Sequence, residues 1–370
     1  MLQMLDRYVP LSGSYPTAYF AGANTGEGFV SAYPSWIREE EFHRVFILKG
    51  GSGTGKSSLI KACARAADGV GASVVVLLCS SDPTSADAVI LQGKNGRRIA
   101  VLDGTAPHTV DPELPGAVGE IVDVGRWWDA SMLSFHREEI VLARHEKQRA
   151  YHRAYCYLSA CREVEEGRKN LLAPCLYREK MEAAVGRILP GETENGEFRE
   201  EIRYTHALSM RGAYRLNSFA GAERTYAVID VYGTGSLFLS AVRTCAAERR
   251  LPLYISPSPA DPRRVQEMYF PHTRVRFRLV SQKDAEDADG DIRFIHMRRF
   301  IDSDRLAGCR ARLRFADKCE EMLMDGALQA LEEAGKAHFC LEEIYKSAMD
   351  FRGVEKETQR LCAYVEEALR

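Results

Sequence analysis

The chain has 370 residues, 45% of them apolar and 28% charged, with a formal net charge of −2. It is long enough for two domains and has the composition of a globular protein, and near-neutrality removes any general drive toward nucleic acid or an anionic membrane. No apolar run reaches transmembrane length, and the ten cysteines are scattered without a C-x-x-C pair, which predicts reduced thiols in a cytoplasmic protein rather than a disulfide or zinc framework.

In chain order, Tyr19-Phe20-Ala21-Gly22 and Gly28-Phe29-Val30-Ser31 predict a short hairpin around Asn24-Thr25-Gly26, followed by a helical turn near Trp36 to Phe42. Arg44 to Lys49 is apolar enough for a buried strand. Gly50-Gly51-Ser52-Gly53-Thr54-Gly55-Lys56-Ser57 follows it, a complete Walker A phosphate loop, and Ser58 to Ala67 has helical periodicity. Strand, glycine loop and helix in that order are the context the motif needs. The glycines let backbone N–H groups approach phosphate oxygens, and the helix directs its positive end at the same point. Lys56 is expected to reach the β- and γ-phosphates, the Ser57 hydroxyl to ligate Mg²⁺, and the whole run Gly50 to Ser58 to bind the nucleotide.

Ser73 to Cys79 reads as a second buried strand, and Ala88 to Leu91 and Arg98 to Asp103 follow, joined by a Gly-Lys-Asn-Gly turn. Asp103 ends four apolar residues, Ile99 to Leu102, and is the expected acidic partner of Mg²⁺. Thr105 and His108, in the loop after it, are candidates to orient a water or sense the γ-phosphate, with a locally hydrogen-bonded turn as the other reading of His108. Asp82, in Ser80-Ser81-Asp82-Pro83, is a candidate acceptor-side base or else a turn cap. Ala130 to Asn170 predicts a long charged helix or helical hairpin. Pro190 to Gly196 predicts a linker, Lys283 to Asp291 an acidic loop, and Asp304 to Arg370 further helix. Arg298, Arg299, Arg305, Arg310, Arg312 and Arg314 are candidates for a transition-state arginine from the neighbouring domain, or for solvated caps.

The chain also reads as an internal duplication. Phe20-Ala21-Gly22-Ala23 recurs as Phe219-Ala220-Gly221-Ala222, Gly53-Thr54-Gly55 as Gly233-Thr234-Gly235, and Asp82-Pro83 as Asp261-Pro262. Trp128-Asp129 matches Ile301-Asp302, and Ala154 and Leu158 match Ala327 and Leu331. In the second copy Ser236 and Leu237 replace Lys56 and Ser57, and the strand Arg274 to Val280 ends without an acid. A phosphate cation and both Mg²⁺ ligands are therefore lost there. The expected architecture is two tandem P-loop NTPase-like three-layer α/β domains with parallel sheets, each followed by a helical hairpin: residues 1–175 active, 176–214 a linker, and 215–370 degenerate.

With these residues in view, the chain resembles a poorly characterised bacterial family of tandem P-loop ATP-binding proteins. The resemblance is carried by Phe20 to Thr25, Ile47 to Ser57, Cys79 to Pro83, Leu102 to His108 and Ala348 to Phe351. It implies ATP binding by the first copy. Family members carry a fuller loop in the second copy, and this sequence departs from them there. The expected activity is Mg²⁺-dependent ATP hydrolysis in the first half, with Lys56, Asp103, Asp82 and His108 as candidate catalytic residues. A small-molecule or nucleoside kinase and a non-catalytic ATP-dependent switch are the alternatives. The expected partners are the nucleotide and an unidentified small molecule or protein, without membrane or nucleic acid.

Overall fold

The computed structural model describes residues 9–10, 17–189, 198–219, 221–282 and 292–370. The linker expected at Pro190 to Gly196 and the acidic loop at Lys283 to Asp291 lie outside the described residues. The protein is mixed α/β, built as two sheet-plus-helix halves. The first sheet contains β1 (Ala18–Phe20), β2 (Arg44–Lys49), β3 (Ser73–Leu78), β4 (Ala86–Gln92), β5 (Arg98–Asp103) and β6 (Gly119–Asp123), in the spatial order β1-β3-β4-β5-β2-β6. The second contains β7 (Glu200–Ile202), β8 (Arg224–Ile229), β9 (Leu253–Pro257), β10 (Val265–Phe270), β11 (Val275–Val280) and β12 (Ile292–His296), in the order β7-β9-β10-β11-β8-β12. The two orders correspond strand for strand. Both sheets also carry a register irregularity at the same place, between Leu77 and Leu78 and between Ser256 and Pro257.

The sheets are not wholly parallel as expected. β4 and β10 run antiparallel to both their neighbours, while the other adjacent pairs are parallel. Turn length explains it. A parallel neighbour requires a crossover of a dozen or more residues, whereas Gly93 to Arg97 closes directly on itself, with the Gly93 amide donating to the Arg97 carbonyl and Gly96 at φ +81°.

The second half begins earlier than the repeated Phe-Ala-Gly-Ala motif suggests. The hairpin Gly22–Thr25/Gly28–Ser31 has its counterpart in His206–Ser209/Gly212–Arg215. In each, a hydroxyl caps the turn: Thr25 Oγ1 donates to the Gly28 carbonyl at 2.7 Å and Ser209 Oγ to the Gly212 carbonyl at 2.8 Å. Phe219 lies beyond this hairpin, so it is not the equivalent of Phe20. The range 176–214, expected as a linker, holds a helix, an edge strand of the second sheet and this hairpin.

The principal helices are α1 (Lys56–Gly69), α2 (Arg137–Leu172), α3 (Arg178–Ile188), α4 (Gly235–Glu248), α5 (Ser303–Ser347) and α6 (Phe351–Leu369). The hairpin expected within each half is instead formed between halves. α2 and α5 pair antiparallel, with Lys147 beside His338, Arg153 beside Glu333 and Arg168 beside Asp317. Ala154, Leu158, Ala327 and Leu331 are buried where they cross, small residues allowing close approach and leucines filling the seam.

Each half's last helix then packs on the other half. α6 joins the first core through Val354, Leu361, Val365 and Leu369, and its Tyr364 ring meets Phe46 edge-on at 5.3 Å. α3 joins the second core through Met181 and Val185, while Arg249 at the end of α4 donates to the carbonyls of Gly186 and Leu189. The crossing points match. The Asp129 amide donates to the Ala348 carbonyl at 2.7 Å and the Asp302 amide to the Cys175 carbonyl at 2.8 Å. Asp129 and Asp302 also cap the helices that follow them with their carboxylates. No described helix is long and apolar enough to cross a membrane, and all ten cysteines are unbridged.

Candidate functional site

β2 feeds directly into the glycine loop, and α1 begins at Lys56. Gly53 and Gly55 sit at φ +72° and +89°, a region that L side chains rarely occupy. Close packing adds a second constraint. A Cβ on Gly53 would come within 2.6 Å of the Glu342 carbonyl oxygen, and one on Gly51 within 3.1 Å of the Tyr345 ring. The C-terminal end of α5, from the second half, therefore abuts the loop.

Lys56 is buried and folds back over the loop, donating to the carbonyls of Gly50 at 2.9 Å and Gly51 at 2.6 Å. Its ammonium lies 3.6 Å from Asp103 Oδ2. Parallel pairing of β2 with β5 sets this up, because Leu48 and Asp103 share a register position. Burial pushes the Asp103 carboxyl above its ordinary range; Lys56 opposes that rise, and nearby Asp87 adds to it. The Thr105 amide donates to Asp103 Oδ1 at 2.9 Å and fixes the carboxylate plane. Ser57 Oγ accepts the Ala86 amide at 2.9 Å and, among the described residues, donates its proton to no other group. Thr54 is buried and donates to the Gly51 carbonyl, bracing the turn from within.

His108 is brought near this cluster but is held structurally. Nδ1 lies 2.9 Å from Ser31 Oγ, Nε2 lies 3.1 Å from Asp87 Oδ2, and the ring stacks on Tyr33 at 4.2 Å. Tyr33 in turn donates to the carbonyls of Asp87 and Asp103. These ring partners come from distant segments of the chain, so His108 is a buried bridging residue rather than a turn histidine bonded within its own loop. Asp87 also belongs to this cluster, and its only signal in the sequence is an acid inside the apolar run Ala86 to Leu91.

Asp82 is likewise tied down. Its Oδ1 accepts from the Thr84 amide, the Thr84 hydroxyl and Arg211 Nε. Burial works to raise its carboxyl, but Arg211 and Thr84 outweigh burial and hold it low. Asp261 closes the equivalent turn in the second half in the same way, through Arg263. Of the arginine candidates, Arg305 donates to the Pro174 carbonyl and pairs with Asp302, at the other half's junction.

The second half's loop has been closed from inside. Where the first half has Gly50, the second has Asp230, and its carboxylate accepts from the amides of Gly235 at 2.6 Å and Gly233 at 3.1 Å. A side-chain anion thus occupies the amide nest. Ser236, at the position of Lys56, returns its hydroxyl to the Gly233 carbonyl at 2.9 Å. Leu279 stands in register with Val228 where Asp103 stands with Leu48. Arg168 lies against Gly233 and is ion-paired with Glu320 and Asp317, while Arg264 pairs with Glu165 at 2.6 Å.

The first loop thus combines a glycine nest, a buried ammonium and a carboxylate with a hydroxyl nearby, an arrangement suited to a polyphosphate and a hard dication. Compared with known proteins, the chain matches no family model, no curated protein and no solved structure.

Proposed function

We propose that the first half binds ATP with Mg²⁺ at Gly50 to Ser58 and hydrolyses it slowly, while the second half is a nucleotide-free partner. The observation that carries this reading is the difference between the two loops. In one, Lys56 and Asp103 flank a nest whose entry residue is Gly50; in the other, Asp230 already fills the nest. Phosphate oxygens would replace the Gly50 and Gly51 carbonyls as acceptors for Lys56. Ser57 and Asp103 would hold Mg²⁺, whose charge would favour the ionised Asp103 that burial now disfavours. The metal would neutralise charge on the phosphates.

An ATP-dependent switch is the second reading, favoured by the seating of Glu342 and Tyr345 on the loop. A phosphate drawn into the nest would bear on the end of α5 and, through it, on the pairing with α2. The kinase alternative loses support because Asp82 is engaged by Arg211 and Thr84.

Phosphate release by the full chain with Mg²⁺ and ATP separates these readings. Slow release that disappears in Lys56→Ala supports the hydrolase. Tight binding without release supports the switch, and neither binding nor release refutes both.

A further inference from the structure

We propose that Lys147 and His338, one from each half, form the terminal-phosphate contact of the first-half site, so that recognition of a triphosphate requires both halves. This rests on nucleotide binding at Gly50 to Ser57.

Lys147 Nζ donates to His338 Nδ1 at 3.1 Å, and His338 stands one helical turn before Glu342, which packs on the loop at Gly53. Lys147 and His338 are both partly buried. Among the described residues no carboxylate pairs with Lys147, although an ammonium carries three protons to place. Burial pushes the Lys147 ammonium below its ordinary value and Lys56 adds to the effect, while Cys79 opposes it. Burial also pulls His338 down to about 4, helped by Lys147, Lys56 and Lys346 and opposed by Asp82. Of the lysines that bear on this region, Lys56 lies 3.6 Å from Asp103 and Lys346 pairs with Glu342 and Glu343, so Lys147 is the one without a carboxylate partner among the described residues.

The internal symmetry supplies an independent argument. The register that equates Ala154 and Leu158 with Ala327 and Leu331 also equates Lys147 with Glu320 and His338 with Glu165. Glu320 and Glu165 are buried at the other end of the same helix pair, facing the loop that Asp230 has closed, and they neutralise Arg168 and Arg264. Two positions thus face a loop at each end of the helix pair. Beside the self-filled loop they are acids matched by arginines. Beside the glycine loop they are a lysine and a histidine bonded to each other, with no carboxylate ion-paired to either among the described residues. The γ-phosphate is the part of a nucleotide that would meet groups beyond Lys56: Lys147, from the first half, would supply the cation, and His338, from the second, would orient that ammonium as a neutral acceptor.

The test is calorimetric titration of the full chain with Mg-ATP and with Mg-ADP, in the parent and in Lys147→Met, Lys147→Arg and His338→Asn. The expected result is a loss of ATP affinity of about tenfold or more in Lys147→Met, a smaller loss in His338→Asn, and ADP affinity within about threefold of the parent. Lys147→Arg should keep the preference for ATP. Because Lys147 is not held by an acid, the nucleotide-free melting temperature of Lys147→Met should not fall, which separates a ligand role from a folding role. If the parent binds and the variants lose ATP and ADP equally, or lose neither, this proposal is overturned while the nucleotide site stands. A parent that binds neither nucleotide overturns both.

Discussion

The Asp350 amide donates to the Trp127 carbonyl at 2.8 Å, and the matching pair in the other half, Tyr177 to Phe300, does so at 2.9 Å. These bonds fix where each half hands its last helix to the other. The consequence is that the first half's core is completed by residues from the far end of the chain.

Stability of the first half should therefore depend on α6. Leu361 is fully buried in the first core, and Leu361→Ala should cost about 2–5 kcal/mol. All three tryptophans, Trp36, Trp127 and Trp128, lie in the first half, so urea unfolding followed by tryptophan fluorescence reads the effect directly. An unchanged midpoint would mean that α6 does not belong to that core.

Gly353 makes the same junction sensitive to a single methyl group. A Cβ there would stand 2.3 Å from Trp127 Cε3, an overlap that only a shift of the indole or of α6 can relieve. Gly353→Ala should destabilise by about 1–3 kcal/mol and alter the tryptophan emission of the folded state. Parent-like emission and stability would contradict the packing.

Asp230 offers a test of the closed loop. Asp230→Ala would leave the Gly233 and Gly235 amides without their carboxylate, at a cost of about 1–3 kcal/mol. It should not create a second nucleotide site, because Ser236, Leu237 and Leu279 still stand where Lys56, Ser57 and Asp103 would be needed. A gain of binding stoichiometry in this variant would show that the second nest is only blocked.

Acid sensitivity follows from His206. Burial is the main cause holding it down at about 4, with Arg215, Arg276 and Arg278 adding and Glu267 opposing. In the unfolded chain its value returns to about 6.5. The neutral ring's contribution is fully present above about pH 6.5 and is lost as the pH falls toward 4, because the unfolded chain then takes up a proton that the folded one resists. Between pH 7 and pH 5 the effect is on the order of 2 kcal/mol. Urea titrations at pH 7 and pH 5 should show a smaller pH dependence in His206→Asn than in the parent; equal slopes would contradict it.

What the sequence made legible follows from how tightly backbone geometry constrains residue identity. The positive φ of Gly53 and Gly55 and the approach of Lys56 to Asp103 could be anticipated, because a strand, a glycine loop and a helix in that order leave the backbone few courses. The antiparallel course of β4 was implicit in the short Gly93 to Arg97 turn, yet buried strands read alike in either direction. The exchange of α3 and α6 was not legible, since an amphipathic helix shows that it covers a core and not which one. Phe219-Ala220-Gly221-Ala222 misled because four small or apolar residues match readily, whereas the true counterpart of the first hairpin, His206 to Arg215, shares its fold and hardly its sequence. Nothing in the sequence distinguishes Asp230 from an ordinary strand end; only the folded loop sets its carboxylate between two amides.

The most direct test of the nucleotide site is calorimetric titration of the full chain with ATP in the presence of Mg²⁺. The expected result is a single equivalent of ATP per chain, lost in Lys56→Ala. Absence of heat with every purine triphosphate, two equivalents per chain, or undiminished binding by Lys56→Ala would contradict it.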